Sequence, residues 1–368
     1  MKITKVSIYT QNLPYVGGTY VWGRGEVIAT ALTTVVVIET DAGITGCGES
    51  CPIGGNYLAA YPEGVAGAAP RLARAIMGMD PRELSAIERR MDNALKGHAY
   101  AKAAFDNACW DILGKATGLP VCTLLGGRLT DGAPMYRVVP QKEVEETRRE
   151  VEIHRQAGYR QFQVKVGADP DRDIEAIRTV VPMLRPGERA FADANTGWTV
   201  YEAVRVVRAV RDLDIMIEQP CMTYEECLQV RSRCDHPMKL DECITGLDMV
   251  ARVIADRSAE VLCLKISNAG GLTKVRRMRD LAVEHGLSVV AEDTWGGEIT
   301  SAAVAHFAAS TPREFLYNTT DLHNYNIAST GTPAPTVRDG KLFADDAPGL
   351  GVEPDYASLG EPVVVIAD

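Results

Sequence analysis

Six ionisable residues in this 368-residue chain stand at nearly equal intervals: Lys165, Asp193, Glu218, Asp241, Lys265 and Asp293, in steps of 28, 25, 23, 24 and 28 residues. Each lies at or near the end of a short apolar run, namely FQVKV, AFADAN, IMIEQP, MKLDE, VLCLKIS and LSVVAED. Taken singly, an acidic residue in such a place is more often a helix cap or a solvated group. Three consecutive carboxylates at one level are different, because they repel one another unless a cation lies between them. Oxygen-only donors select a hard divalent ion, and Mg²⁺ leaves coordination positions for water or substrate oxygens. The two lysines flank the acidic trio. At its ordinary pKa of about 10.4 a lysine is almost wholly protonated near neutrality. To act as a base it must come down by roughly 2–3 units, about 3–4 kcal/mol, through nearby positive charge and desolvation. Such a set suits removal of a proton alpha to a carboxylate, with the charge of the enolate stabilised by the ion.

The intervals match one β/α unit each. With MYRVV before them and EFLYN after them, the runs number eight, and helical stretches such as EVEETRREVEIHRQAG and VYEAVRVVRAVRDL lie between. The expected fold is α/β, a modified TIM barrel (β/α)7β over residues 126–345 with its charged groups at the C-terminal mouth. A doubly wound open sheet is the competing arrangement. It would carry a Gly-rich phosphate turn after an early strand, and this sequence has none. Residues 1–50 alternate like an antiparallel meander with a turn at Asp41-Ala42-Gly43, and helical spacing follows up to Gly118 and Pro120. Together they predict an α+β capping domain over 1–125, with a C-terminal tail, 346–368, returning to it. Loops 13–25 and 51–61 are glycine-rich and carry Tyr20, Trp22 and Tyr57, aromatics suited to excluding water from a closed site.

Composition removes other classes. A net charge of −10 argues against nucleic acid. The amino terminus shows no signal-type apolar region, and no run reaches the roughly 20 apolar residues of a membrane span. The nine cysteines are scattered, with no C-x-x-C pair, as in a reduced cytoplasmic protein. His98 has no evident metal partner and is expected to be structural or a hydrogen-bond donor.

The words Ile217-Glu218-Gln219-Pro220, Leu240-Asp241-Glu242 and VLCLKISNAGGL carry a family likeness. The chain resembles the enolase superfamily, specifically its muconate-lactonizing-enzyme-like subgroup, over essentially its whole length. The resemblance implies that Asp193, Glu218 and Asp241 bind Mg²⁺, that Lys165 and Lys265 are the acid/base pair, and that the protein is a homo-oligomer. One feature departs from the pattern: the usual Lys-x-Lys of the second barrel strand is Gln163-Val164-Lys165, so one charge is missing and Gln163 is left to hydrogen-bond a substrate carboxylate. No histidine follows the seventh strand, where AEDTWGG stands, and no Asp-x-Asp ends the eighth. Histidine-base racemases and dipeptide epimerases therefore fit less well.

The segments ESCPIGGNY, KGHAYAKAAFD, EQPC and DTWGGEI resemble the branch acting on proline derivatives. That likeness implies a small carboxylate substrate with Trp295 and Asp293 facing its ring nitrogen. Two outcomes follow from one enolate. Dehydration of cis-3-hydroxy-L-proline to Δ1-pyrroline-2-carboxylate would use Lys165 as base and Lys265 as acid, with Asn318-Thr319-Thr320 orienting the hydroxyl. Epimerisation at C2 of proline betaine or 4-hydroxyproline betaine would use the same two lysines from opposite faces. A catalytically silent metal- or carboxylate-binding barrel is the alternative from another class, and it would have no need of paired lysines.

Overall fold

The computed structural model describes residues 1–23, 25–139 and 143–367. Arg24, inside the expected loop 13–25, lies outside the described residues, as do 140–142 and 368 of the expected barrel and tail.

The amino-terminal segment forms strands β1 (Ile3–Pro14), β2 (Thr30–Thr40) and β3 (Thr45–Ser50), an antiparallel meander whose β2–β3 turn places Gly43 at φ 72°. A short hairpin, Tyr20–Trp22 with Glu26–Ile28, projects between β1 and β2. Three helices follow, Pro62–Ile76, Leu84–Ala94 and Ala99–Thr117, and the last ends on Gly118 in the left-handed region, as the sequence predicts. Helix Ala99–Thr117 lies directly on β3. A Cβ at Gly48 would stand 2.0 Å from the Ala104 carbonyl oxygen, so only glycine permits that approach.

Eight parallel strands form the second unit: β4 (Tyr136–Val139), β5 (Gln161–Lys165), β6 (Arg189–Asp193), β7 (Met216–Glu218), β8 (Met238–Leu240), β9 (Val261–Lys265), β10 (Ser288–Glu292) and β11 (Leu316–Thr319). They pair in chain order, and a parallel bridge between Met135 and Thr319 brings the first strand to the last. That closure decides between the two architectures: the fold is a (β/α)7β barrel. Helices after the first seven strands cover its outside. Local sequence starts several of them: Thr199 with Glu202 and Thr223 with Glu226 form capping boxes, and Asp169 caps a helix that begins at Pro170. Inside the barrel, Tyr136, Phe191, Met216, Val261, Cys263 and Val290 pack as an apolar floor.

The chain then returns. Strand β12 (Val364–Ala367) pairs antiparallel with β1, with Lys5 opposite Ala367 and Ile8 opposite Val364. Among the described residues, no helix is long and apolar enough to cross a membrane.

Candidate active site

The C-terminal ends of the barrel strands and the amino-terminal loops line a cavity with about 540 Å³ of empty space, the solvent at its mouth included. Nine of the ten site residues expected from sequence line it: Tyr20, Tyr57, Gln163, Lys165, Asp193, Asp241, Lys265, Asp293 and Trp295. The tenth, Glu218, lies just beneath, tied to the cavity wall through Gln163.

Strands β5 and β9 are four apart in an eight-strand barrel, so Lys165 and Lys265 rise from opposite walls. The Lys165 ammonium donates to Asp193 at 2.6 Å and to Asn195 at 2.8 Å. Lys265 donates to both carboxylate oxygens of Asp241 and pairs with Glu292 at 2.9 Å. Each lysine is covered by a tyrosine of the amino-terminal loops. Tyr20 lies 5.9 Å from the Lys165 nitrogen and Tyr57 lies 5.5 Å from that of Lys265. Burial alone would lower both lysines, but Asp193 and Asp241 outweigh it and hold them above their usual range.

The carboxylates stand between the lysines. Burial, reinforced by the charge of Asp193, pushes the Glu218 carboxyl well above the carboxylate range, although Lys239 pairs with it at 2.7 Å. Glu218 and Asp241 offer ligand oxygens within 4.8 Å of one another, with the Cys263 sulfur as third neighbour. Asp193 is joined to Glu218 by the Gln163 amide, which donates to the two carboxylates at 2.9 and 3.3 Å. That amide nitrogen is engaged below the cavity because Gln163 precedes Lys165 by two positions on the same face of β5. Its carbonyl oxygen is buried without a hydrogen-bond partner among the described residues. Gln219, at φ 32°, accepts a hydrogen bond from the Asp241 backbone and so fixes the end of β8 against β7. Non-glycine residues at positive φ here and at Asn195 place backbone strain beside the carboxylates.

The remaining wall is aromatic: Trp22, Trp295 and Tyr325 stand with Tyr20 and Tyr57. The Trp295 ring meets Tyr20 edge-on at 5.4 Å, and its N–H donates to Asn326. Asp293 lines the cavity, but its two oxygens already accept hydrogen bonds from the Ser267 backbone, the Ser267 hydroxyl and the Thr294 backbone. Of the Asn318-Thr319-Thr320 run, only Thr320 lines the cavity. Asn318 donates to Gln161 and Thr319 to the Ala291 carbonyl. The Thr320 hydroxyl is buried and has no partner among the described residues. His98 is outside the cavity lining, with Nδ1 2.7 Å from the Tyr100 hydroxyl.

Residues 24–126 match the mandelate racemase / muconate lactonizing enzyme N-terminal domain, and residues 146–358 match the enolase C-terminal domain-like family. The chain belongs to the mandelate racemase/muconate lactonizing enzyme family of the enolase superfamily. It is accordingly an enzyme. A cis-3-hydroxy-L-proline dehydratase of Roseibium aggregatum is 46% identical over 363 residues, 99% of each chain. Among solved structures, a mandelate racemase/muconate lactonizing enzyme from Roseovarius nubinhibens superposes with a TM-score of 0.97 at 60% identity, covering 100% of this chain and 99% of that one. Another relative from that organism, complexed with magnesium, gives 0.95 at 38% identity with both chains fully covered.

Proposed function

We propose that this family member is a Mg²⁺-dependent hydro-lyase that converts cis-3-hydroxy-L-proline to Δ1-pyrroline-2-carboxylate. The observation that carries the reading is the pair Lys165 and Lys265 on opposite walls of one small cavity, in a chain 46% identical over its length to a dehydratase of that substrate. In this substrate the C2 hydrogen and the C3 hydroxyl lie on opposite ring faces, so a base and an acid are needed on opposite sides.

The donor chemistry fits the ion: Asp193 and Asp241 line the cavity with Glu218 just beneath it, and burial with the charges of Asp193 and Asp241 opposes ionisation of Glu218. These three would hold Mg²⁺, which supplies positive charge for the substrate carboxylate and for the charge that develops on it. With Asp193 engaged by the ion, Lys165 would lose the carboxylate charge that holds it protonated and so take the C2 proton. Lys265 gives a proton to the C3 hydroxyl, which leaves as water, and the resulting enamine tautomerises to the imine. Tyr20, Trp22, Tyr57 and Trp295 exclude solvent, and Trp295 offers its indole to the ring nitrogen, a contact worth roughly 0.5–2 kcal/mol for an ammonium. The Thr320 hydroxyl, buried and unpartnered at the cavity wall, is suited to orienting the substrate hydroxyl. Nine free thiols fit a reducing compartment, the cytoplasm.

The near-symmetry of the Tyr20–Lys165 and Tyr57–Lys265 pairs favours a second reading, 2-epimerisation of proline betaine or 4-hydroxyproline betaine. Proton NMR in D₂O with Mg²⁺ separates the two. Loss of the C2 and C3 signals of cis-3-hydroxy-L-proline, with pyrroline-2-carboxylate appearing, is the expected result. Deuterium entering C2 of a betaine, with cis-3-hydroxy-L-proline unchanged, would establish the epimerase instead.

A further inference from the structure

Glu292 closes β10 and is the parallel-strand register partner of Lys265 at the end of β9. Its side chain turns into the barrel, where one oxygen meets the Lys265 ammonium at 2.9 Å and the Cys263 sulfur at 2.7 Å. The other accepts the Tyr136 hydroxyl at 3.0 Å. Three side chains, two from β9 and one from β4 across the barrel interior, thus fix the carboxylate, and it is buried at 4% exposure. It is not one of the three carboxylates assigned to the ion. Lys165, on the facing wall, donates to Asp193, which is one of them, and to the neutral Asn195. The two lysines therefore differ in what anchors them. If Asp193 and Asp241 turn to a cation, Lys265 keeps a carboxylate anchor from its own side of the barrel.

We propose that Glu292 is a positioning residue for Lys265, holding its ammonium where it delivers a proton to the departing hydroxyl. The inference rests on the dehydratase reading. In the step concerned, a Lys265 N–H bond breaks and an O–H bond forms on the C3 oxygen. The C3–O bond breaks with its electron pair leaving on water. The pair left on the enolate after Lys165 takes the C2 proton becomes the C2=C3 double bond. Abstraction belongs to one wall and expulsion to the other, so a change at Glu292 separates them.

The test compares the unmutated enzyme with Glu292→Gln and Glu292→Ala in D₂O with Mg²⁺, following both water loss from cis-3-hydroxy-L-proline and deuterium at C2 of the substrate that remains. The expected result is a fall in water loss of tenfold or more, with C2 exchange retained, so that the ratio of exchange to elimination rises at least tenfold. A 3-fluoro analogue of the same geometry, whose leaving group depends less on a proton donor, should lose fluoride in Glu292→Gln within a few-fold of the unmutated rate. A role confined to folding would depress exchange, water loss and fluoride loss together, and that outcome would overturn the proposal. So would an unchanged ratio in both variants with unaltered thermal melts. If the unmutated enzyme loses no water, the dehydratase reading fails and this inference falls with it. If it loses water and the variants lose all three rates in parallel, only the inference falls.

Discussion

Glu49 of β3 accepts the backbone N–H of Gly297 at 2.8 Å, and its second oxygen accepts that of Thr300 at 2.9 Å. Helix Glu298–Ala309 has no side-chain cap of its own, so a carboxylate from the amino-terminal sheet satisfies its first turn. The same device recurs at helix Leu272–Glu284, where Asp106 accepts from Thr273 and Asn107 from Leu272. The two helices so capped are the long ones after the strands that end in Lys265 and Glu292, which means the amino-terminal unit anchors the segments beyond the site as well as covering it.

Replacing Glu49 by Ala should therefore cost stability. It leaves the Gly297 and Thr300 backbone N–H groups without their acceptor and the Thr33 hydroxyl with only the Ser50 carbonyl at 3.3 Å. At about 1–3 kcal/mol for each buried group left unpaired and partial relief from relaxation, a loss of roughly 2–4 kcal/mol in denaturant unfolding is expected, with Glu49→Gln losing less. A change below about 0.5 kcal/mol would contradict this role.

His306 gives a pH dependence with a defined sign. The ring is fully buried, its Nδ1 accepts the Cys122 N–H and its Nε2 faces the Leu350 carbonyl, an arrangement that needs the neutral form. Burial lowers its pKa to about 4, below the unfolded value near 6.5. Its contribution is therefore complete above about pH 6.5 and is lost as pH falls toward 4, a total of about 3 kcal/mol. Unfolding free energies measured from pH 7 to 4.5 should fall more steeply in the unmutated protein than in His306→Gln. Parallel curves would refute the assignment.

Removal of divalent metal by chelation should abolish turnover, and Mg²⁺ should restore it. Asp193→Asn, Glu218→Gln and Asp241→Asn should each weaken Mg²⁺ binding at least tenfold by calorimetry. Lys165→Ala and Lys265→Ala should retain that binding while turnover drops on the order of 10³-fold or more, the scale expected when a group acting directly on the reacting atoms is removed. Lysine variants that still turn over at near-normal rate would exclude both as proton carriers.

Thr320→Val tests the hydroxyl-orienting role. Losing one neutral hydrogen bond to substrate is worth about 0.5–1.5 kcal/mol, so kcat/KM for the hydroxylated substrate should fall roughly 2- to 10-fold. Equal kinetics in both proteins would show that Thr320 does not meet the hydroxyl.

The barrel was legible because β/α units repeat at near-constant length, and that repeat also made Lys165, Asp193, Glu218, Asp241 and Lys265 stand out. Glu292 did not stand out because Asp293 beside it fits the spacing better. Both acids reach the cavity, but which of them sits opposite Lys265 depends on the pairing of β9 with β10, a register that spacing alone leaves open by one residue. Lys239 and Asn195 did carry a signal, since each lies two residues from an expected carboxylate and so on the same strand face or its continuation. Tyr325 had none: it follows the last barrel strand in a segment without periodicity, and only packing against Tyr15 and Trp295 brings it to the cavity. Glu49 likewise reads as one polar residue in an alternating strand, and its partners lie some 250 positions away.

The pairing of β12 with β1 has a consequence for how the protein is made. Strand β1 emerges from the ribosome before the barrel, with β2 as its partner on one side only, and its other edge gains Val364–Ala367 after the whole barrel has been synthesised. An open strand edge is a template for pairing with other chains. Until that strand is made, the nascent molecule therefore exposes an adhesive margin beside Lys5 and Ile8, and Val364–Ala367 act as its seal.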